Sequence, residues 1–325
     1  MSLLDWLLYV LLPLSIILCL IRLYVKGRSC HFSPNLEGKV VIVTGANAGI
    51  GFYTALRLAE LGARLILACR DPVRTEPAIK EIKDKTGSST VEFIKLDLGS
   101  KKSIREFVDT FKSKYNRLDI LVNNAGLVTV DRTLTSDGFE TQFGVNHLGH
   151  FYLTHLLKDY LIKSAPSRIV TVASDAHQWG VLDFDDLMTE KKKYSSMKCY
   201  GNTKLANICH ANELNRRLES LGVKAVSLHP GAVKTDIMSS SLKGKWYKWI
   251  LEIIAYPIFA ILFKDAERGA QTTLYCALIE HEKLESGKYY VNCRPTKTNK
   301  NATDPALWKR LWDESLRLLE IKDQQ

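Results

Sequence analysis

Short runs rich in apolar residues alternate along this chain with stretches whose apolar residues recur at helical spacing. The runs occupy 39–44, 64–68, 91–96, 119–122, 168–172, 224–228 and 289–291. A run that is apolar throughout, as the first one is, is typical of a parallel strand buried on both faces. Because helical stretches separate the runs, the pattern predicts βαβ units. It therefore predicts an α/β fold with a Rossmann-type, doubly wound parallel sheet flanked by helices.

A longer apolar stretch precedes the first predicted strand. Residues 3–25 contain only two charged residues, one proline and one serine, and their length is about that needed to span a bilayer. The stretch lacks the basic start and the small-residue cleavage site of a signal peptide, so it predicts a retained anchor. Because Arg22, Lys26 and Arg28 lie at its end, the positive-inside rule predicts that the domain that follows lies on the cytosolic side. A helix that lies in the membrane interface is the alternative.

The remainder of the chain predicts a single domain. We expect residues 1–28 to form the anchor and residues 29–325 to form the domain, since no repeat or low-complexity segment divides them. A second apolar stretch, 246–263, is interrupted by two charged residues and a proline, which argues against a second membrane span. It predicts an apolar cap over the substrate, within residues 239–265. Such a cap suits a lipophilic substrate that partitions from a membrane.

Composition and charge exclude several classes of function. The chain of 325 residues carries 45 Lys and Arg against 35 Asp and Glu, a net charge of +10. No basic stripe with interleaved aromatic residues accompanies that charge, so nucleic-acid binding is not expected. The phosphates of a cofactor or an anionic membrane surface account for it more simply. The seven cysteines show no metal-type spacing, which predicts reduced thiols and no metal site.

A glycine-rich turn follows the first predicted strand. Gly45, Gly49 and Gly51 lie between that strand and a predicted helix. In this position the backbone turns tightly, approaches a pyrophosphate closely and presents the amides of a helix N-terminus to it. A glycine-rich helix start without a ligand is the alternative. The strand before and the helix after the turn favour a dinucleotide site.

The end of the second predicted strand bears on which dinucleotide is bound. A site selective for NAD usually places a carboxylate here to hold the adenosine ribose. This chain has Cys69 followed by Arg70, with Asp71 next. Because a guanidinium can bind a 2′-phosphate with two hydrogen bonds, the sequence favours NADP. A shift of one residue, which would bring Asp71 to the ribose, would weaken this prediction.

A tyrosine and a lysine are spaced for acid–base chemistry. Tyr200 and Lys204 are four residues apart, so on a helix they share a face. An ammonium group beside a phenol stabilises the phenolate and makes it usable as an acid or base near neutrality. An isolated pair of this kind is more often a partly exposed helix face. The dinucleotide turn upstream is what makes this pair informative.

These motifs, in this order, resemble the short-chain dehydrogenase/reductase superfamily over residues 37 to about 295. The matching residues are 44–51, Asp97 and Leu98, 123–126, Asn146, Ser174, Tyr200 and Lys204, and Pro230 and Gly231. Within the superfamily the chain looks most like the membrane-anchored, NADP-dependent retinol dehydrogenases of the retinal-reductase type. The segments 68–71, 144–151, 165–170 and 203–207 carry that closer similarity.

The resemblance implies a catalytic set of Tyr200, Lys204, Ser174 and Asn146. Tyr200 is expected to exchange a proton with the substrate oxygen, and Ser174 to donate a hydrogen bond to that oxygen; both are therefore expected substrate contacts. Lys204 is expected to lower the pKa of Tyr200 and to hydrogen-bond the nicotinamide ribose. Asn146 is expected to anchor a water that connects Lys204 to solvent.

The resemblance also implies NADP, in its reduced form NADPH, as the cofactor. Asp97 resembles the residue that contacts the adenine amino group, Asn124 resembles the start of the loop beside the adenosine ribose, and Thr235 resembles the hydroxyl that fixes the carboxamide. The complete set of expected cofactor contacts is Gly45, Asn47, Gly49, Ile50, Gly51, Arg70, Asp97, Leu98, Asn124, Ala125, Gly126, Tyr200, Lys204, Pro230, Gly231, Val233 and Thr235.

The chain is thus expected to be an oxidoreductase of the endoplasmic reticulum membrane that interconverts a lipophilic aldehyde or ketone and its alcohol. By resemblance, retinal and retinol are the expected pair, with reduction favoured by a cytosolic NADPH pool. Reduction of steroids or fatty aldehydes is an alternative, and so is a non-catalytic NADP-binding scaffold at a membrane. The presence of all four catalytic residue types argues against the scaffold. The expected partners are a lipophilic small molecule and a membrane, and the sequence leaves open a homo-oligomer.

Overall fold

The structure is a computed structural model that describes residues 9, 11–233 and 263–322. In chain order its main elements are α1 (Leu12–Lys26), β1 (Val40–Thr44), α2 (Gly49–Glu60), β2 (Arg64–Cys69), α3 (Pro72–Thr86), β3 (Val91–Lys95), α4 (Lys101–Lys114), β4 (Ile120–Asn123), α5 (Thr141–Phe143), a π-helical turn (Gly144–Leu148), α6 (Gly149–Lys163), β5 (Ser167–Val172), a 3₁₀ turn (Asp175–Trp179), α7 (Ser196–Leu218), β6 (Val223–His229), α8 (Ala266–Leu278), β7 (Tyr289–Val291), β8 (Arg294–Thr296) and α9 (Pro305–Leu319). Helices thus alternate with strands as the apolar pattern predicts.

The strands form an eight-stranded sheet in the order β3-β2-β1-β4-β5-β6-β7-β8. Strands β1 to β7 pair in parallel, and β8 pairs antiparallel with β7. The predicted α/β fold with a parallel central sheet is confirmed. Because β1 pairs with both β2 and β4, the strand order reverses at β1, and a crevice opens there at the carboxyl ends of the strands.

Strand β1 shows why the apolar runs form the centre of the sheet. All five of its residues are buried. Val40 and Ile42 belong to the core on one face of the sheet, whereas Val41 and Val43 belong to the core on the other. A strand that packs against helices on both faces has no polar side to alternate with, which explains the continuous apolar run.

Strand β8 was not predicted from the sequence. Its three residues, Arg294 to Thr296, are all exposed, and they include a proline. An edge strand of this kind buries no side chain and tolerates proline, because its outer N–H groups face solvent. No apolar run therefore marks it.

Helix α1 stands apart from this core. Apolar side chains on several sides of it are exposed, with about half of the surface of Leu12, Ile16 and Ile17 accessible. Its last turn contacts the domain, where Arg22 Nη1 donates to the carbonyl of Phe263 at 2.8 Å. Among the residues that the structure describes, no helix is both long and apolar enough to cross a membrane.

The predicted cap, 239–265, falls almost entirely outside the described residues. The residues on either side of this segment are described, and they contact each other. Val233 and Lys264 form a parallel bridge, and the amide of Lys264 donates to the carbonyl of Ala232 at 2.7 Å. Residues 232 and 233 therefore lie next to Lys264 at the edge of the described domain.

Candidate active site

A cavity of about 1070 Å³ opens at the carboxyl ends of β1, β4, β5 and β6. We call residues 48–51 and 124–128, which follow β1 and β4, the cofactor wall. We call Asp175, Trp179, Met197 and Phe263 the substrate wall. Ser174, Tyr200 and Lys204 also line the cavity, so three of the four catalytic side chains predicted from the sequence share a space with the glycine turn.

The glycine turn leaves the start of α2 open to the cavity. Ala48 caps α2 without a side-chain hydrogen bond, and residues 48–51 line the cavity. The first amides of a helix have no partner within the helix, so here they face the space where an anion would bind. A Cβ added to Gly51 would lie 2.4 Å from the carbonyl oxygen of Gly45, whereas one added to Gly49 would meet nothing within 4 Å. This cradle fits the pyrophosphate of a dinucleotide.

The loop after β4 is held from behind by Thr44. Thr44 Oγ1 accepts hydrogen bonds from the backbone amides of Asn124 and Ala125, both at 2.9 Å. The side chain of Asn124 returns a bond to the carbonyl of Thr44 at 2.8 Å. The end of β1 and the loop after β4 are therefore locked together, and the cofactor wall is largely backbone in a fixed position.

Tyr200 lies on α7, at the junction of the two walls. Burial raises the pKa of Tyr200 to about 12, and a hydrogen bond with Ser174 partly offsets the effect. Ser174 also accepts from the amide of Ala176 at 3.2 Å, which fixes its position at the start of the 3₁₀ turn. Tyr200 therefore holds its proton at neutral pH beside the hydroxyl of Ser174.

Lys204 lies one turn later on α7 and is 3% exposed. Its Nζ donates to the carbonyl of Val172 at 3.0 Å and lies 5.4 Å from the centre of the Tyr200 ring. Burial lowers the pKa of Lys204 to about 8. The expected effect of Lys204 on the pKa of Tyr200 stays a prediction. Desolvation of the phenol dominates, and the ammonium is directed to a carbonyl.

Asn146 lies in the π-helical turn before α6 and is completely buried. Its Oδ1 accepts from the amide of Leu127 at 2.8 Å, and its Nδ2 donates to the carbonyl of the same residue at 2.9 Å. A Cβ added to Gly126 would lie 3.5 Å from Lys204 Nζ and 3.6 Å from Asn146 Oδ1. Asn146 and Lys204 therefore face the same point of the loop after β4.

The substrate wall is made of side chains. Trp179 is 64% exposed and Met197 is 53% exposed, although both line the cavity. Asp175 follows Ser174 directly; its Oδ2 lies 3.3 Å from His229 Nε2. The other carboxylate oxygen of Asp175 accepts from the hydroxyl of Tyr289 at 3.2 Å. This end of the cavity thus combines open apolar surface with one carboxylate.

The residues after β2 resolve the question of register that the sequence left open. Strand β2 ends at the buried Cys69, and the exposed Arg70 follows. Asp71 caps α3, where its Oδ1 accepts from the amides of Val73 and Arg74 at 2.9 and 3.4 Å. Because that carboxylate is engaged by its own helix, the guanidinium of Arg70 is the charged group at the strand end.

The structure brings most of the predicted site residues to one cavity. Those that line it are Gly49, Ile50, Gly51, Asn124, Ala125, Gly126, Ser174, Tyr200, Lys204, Pro230, Gly231 and Val233. Gly45, Asn47, Arg70, Asp97, Leu98 and Asn146 lie outside its lining. Asp97 instead accepts from the amide of Gly99 at 2.9 Å, and Leu98 is buried in the core. Thr235 falls outside the described residues.

Several residues of the site were not singled out from the sequence. Thr44 stands at the end of a predicted strand, and its hydroxyl in place of an aliphatic side chain is a signal that could have been read. Trp179 and His229 carry no local pattern, since they reach the cavity from separate elements, the 3₁₀ turn and the end of β6.

Comparison with known proteins agrees with this geometry. A family model described as short chain dehydrogenase matches residues 39–246. The chain belongs to this family. It is an oxidoreductase that acts on CH–OH groups, and its site takes a nicotinamide cofactor.

The similar proteins include retinol dehydrogenases. Retinol dehydrogenase 12 of Mus musculus is 43% identical over 302 residues, which cover 93% of each chain. Retinol dehydrogenase 13 of Homo sapiens is 43% identical over 319 residues, which cover 96% of each chain. These short chain dehydrogenases thus match the chain along nearly its whole length.

Solved structures show the same architecture. A putative uncharacterised protein from Mycobacterium paratuberculosis superposes with a TM-score of 0.73 at 32% identity, covering 91% of this chain and 98% of the other. An RhlG/NADP active-site complex from Pseudomonas aeruginosa gives a TM-score of 0.63 at 23% identity, with coverage of 80% and 96%. The second likeness concerns the fold alone.

Proposed function

We propose that this short chain dehydrogenase is an NADPH-dependent reductase that converts all-trans-retinal to retinol, and that residues 1–28 hold it at a membrane. The observation that carries the proposal is the meeting of Ser174, Tyr200 and Lys204 with an uncapped helix N-terminus in one cavity. The retinoid assignment draws on the relatives named retinol dehydrogenase, which match the chain at 43% identity.

The protonation of the site suits reduction of a carbonyl. The pKa of Tyr200, raised to about 12 by burial, keeps the phenol protonated at neutral pH, as a proton donor to a carbonyl oxygen requires. Ser174 donates a second hydrogen bond to that oxygen and so aligns the carbonyl. A bound nicotinamide supplies the hydride for the carbonyl carbon. When Tyr200 gives up its proton, the nearby ammonium of Lys204 stabilises the phenolate that is left.

Proton resupply falls to Lys204 and Asn146. The pKa of Lys204, lowered to about 8 by burial, lets the ammonium release and regain a proton near neutrality. Asn146 faces the same point of the loop as Lys204, and we assign it the water that connects this lysine to solvent.

Selectivity for NADP is assigned to Arg70. The guanidinium is exposed at the end of β2, while Asp71 is engaged as the cap of α3. A carboxylate at the ribose would repel a 2′-phosphate, whereas a free guanidinium binds it with two hydrogen bonds. Asp97 keeps the adenine contact that the family resemblance implies, Asn47 and Leu98 stay expected cofactor contacts, and Thr235 keeps the carboxamide.

The membrane assignment rests on exposed apolar surface. The described part of α1 exposes apolar side chains on several sides, and its last turn binds Phe263, which lines the cavity. Trp179 and Met197 expose further apolar surface beside the same opening. We therefore assign the chain to the endoplasmic reticulum membrane, with the domain of residues 29–325 facing the cytosol and residues 239–265 capping the substrate.

The test uses microsomes from cells that express the full chain. We expect retinol to form from all-trans-retinal with NADPH, much more slowly with NADH, and not at all with Tyr200→Phe. Steroid ketones and fatty aldehydes are assayed beside retinal, and faster reduction of either class would replace the retinoid assignment. NADPH binding without turnover of any carbonyl would instead support a non-catalytic scaffold. Carbonate extraction and protease protection of the same microsomes test the membrane and cytosolic assignments.

A further inference from the structure

A buried histidine on α6 touches both the cofactor side and the catalytic side of the site. His150 is 1% exposed. Its Nε2 lies 2.9 Å from Thr44 Oγ1, and its Nδ1 lies 3.1 Å from the carbonyl oxygen of Asn146. The imidazole ring of His150 therefore connects Thr44, which holds the loop after β4, to Asn146 of the catalytic set.

The hydrogen bonds around this ring are consistent with only one placement of the protons. Thr44 Oγ1 already accepts from two backbone amides, so it has no lone pair left for an N–H of His150. The hydroxyl oxygen lies 3.3 Å from the carbonyl oxygen of Val122 and 2.9 Å from His150 Nε2, and its single proton is assigned to the nearer acceptor, His150. The carbonyl of Asn146 has no proton to give, so His150 Nδ1 must donate to it. His150 is therefore neutral, with its proton on Nδ1. Burial lowers the pKa of His150 to about 4, which agrees with a neutral ring.

Both partners of His150 hold the same short loop. Thr44 binds the amides at the start of residues 124–127, each at 2.9 Å. Asn146 binds the amide and the carbonyl of Leu127 at the end of that loop, at 2.8 and 2.9 Å. The loop forms much of the cofactor wall and carries Gly126, which lies beside Lys204. His150 thus sits behind the loop and fixes both of its supports.

We propose that His150 is a positioning residue that holds residues 124–127 from both ends, and so couples cofactor binding to the alignment of Asn146 with Lys204. Its Nε2 end sets the wall against which the cofactor binds, through Thr44. Its Nδ1 end sets the backbone of Asn146, and through it the proton supply of Lys204. This inference rests on the proposed function for the role of Asn146, but the cofactor end stands independently of the substrate.

Asparagine or glutamine at position 150 can each keep one of the two hydrogen bonds of His150 and remove the other. The Nδ2 of an asparagine can take the place of a histidine Nδ1, and the Oε1 of a glutamine can take the place of a histidine Nε2. His150→Asn therefore keeps a donor for Asn146 and removes the acceptor for Thr44. His150→Gln keeps the acceptor for Thr44 and removes the donor for Asn146.

The experiment measures the Kd of NADPH by fluorescence titration and kcat with a carbonyl that the wild type reduces. For His150→Gln we expect kcat to fall about tenfold and the Kd to stay within about twofold. For His150→Asn we expect the Kd to rise about tenfold and kcat at saturating NADPH to stay within about threefold. His210→Gln is the control, because His210 is an equally buried histidine that packs on Phe151 and Trp312 instead. It should lower the melting temperature without either kinetic effect.

The split between the two variants is what a purely structural role would not produce. If both variants change kcat and Kd by the same factor, or if neither changes them, the proposal is wrong. Should the His150 variants fail to fold, Thr44→Val and Thr44→Ser test the cofactor end. The valine variant should raise the Kd of NADPH at least tenfold and the serine variant should not, and equal values for the two would overturn that end. Failure to reduce retinal would contradict only the proposed substrate, because the Kd needs no substrate and kcat is read with any carbonyl that turns over.

Discussion

The cofactor wall of the cavity is backbone that other residues hold from behind, whereas the substrate wall consists of side chains that project into open space. On the first wall, Thr44 fixes two amides at 2.9 Å each and Asn146 clamps Leu127. On the second, Trp179 and Met197 keep more than half of their surface exposed, at 64% and 53%. Recognition of the cofactor therefore depends on the fixed shape of the backbone, whereas recognition of the substrate depends on individual side chains.

Tyr200 stands where the two walls meet, and its removal should have the largest effect. Tyr200→Phe deletes the proton donor and leaves both walls in place, so kcat for retinal should fall by about 10²–10⁴-fold. The Kd of NADPH, measured by fluorescence titration, should change less than about threefold. A variant that loses NADPH binding and turnover together would show that Tyr200 supports the cofactor wall and is not the acid.

A methyl group on the cofactor wall should be tolerated poorly. In Gly51→Ala the added Cβ would lie 2.4 Å from the carbonyl oxygen of Gly45 and 2.5 Å from Asn124 Nδ2. The turn must shift, so the Kd of NADPH should rise about a hundredfold while the domain stays folded. Gly38→Ala is the matched control, because Gly38 has a φ of +76° but open space around it. Equal NADPH binding by the two variants would contradict a rigid cofactor wall.

Arg70→Asp tests whether Arg70 sets the preference for NADPH over NADH. Replacing the guanidinium by a carboxylate should lower the ratio of kcat/KM for NADPH to that for NADH by about 10- to 100-fold. Lys83→Asp makes the same charge change at an exposed position further along α3, and it should leave the ratio unchanged. An unchanged ratio in Arg70→Asp would remove Arg70 from the recognition of the 2′-phosphate.

Two buried histidines, His147 and His150, should make the fold sensitive to acid. Burial lowers the pKa of His147 to about 3 and that of His150 to about 4. Both pKa values lie below the pKa of about 6.5 that a histidine has in the unfolded chain. The unfolded state therefore binds more protons, and the stability falls as the pH drops from about 6.5 toward 4. At pH 5 each histidine should cost about 1–2 kcal/mol in the free energy of unfolding, measured with urea. His147→Asn should flatten this dependence, and a flat wild-type profile would contradict it.

The smallest effect is expected on the substrate wall. Trp179→Ala removes exposed apolar surface, so KM for retinal should rise about three- to fivefold with little change in the Kd of NADPH or in stability. Leu221→Ser removes apolar surface that is 48% exposed and does not line the cavity, and it should leave KM unchanged. If both substitutions raise KM equally, the wall has no selective role.

The sequence predicts the cofactor wall better than the substrate wall, for physical reasons. Buried parallel strands require continuous apolar runs, and a pyrophosphate requires glycines at a strand end, so both leave local patterns. Tyr200 and Lys204 were identified because a helix places residues four apart on one face. All of these constraints act within a few residues of the chain.

Other features arise only when distant segments come together. The link from Thr44 through His150 to Asn146 spans three elements, and no spacing reveals it. The pKa of Tyr200 is raised to about 12 because burial outweighs the hydrogen bond with Ser174, and burial is a property of the folded chain. Strand β8 buries none of its three residues, so it leaves no apolar pattern.

Hydride transfer from NADPH to retinal is the measurement that addresses the central claim. NADPH carrying deuterium at both C4 positions of the nicotinamide is incubated with all-trans-retinal and microsomes that contain either the wild type or Tyr200→Phe. We predict retinol with one deuterium on the carbinol carbon from the wild type, and no more than background from the variant. Retinol without deuterium, or equal deuterium transfer by the two proteins, would contradict the account.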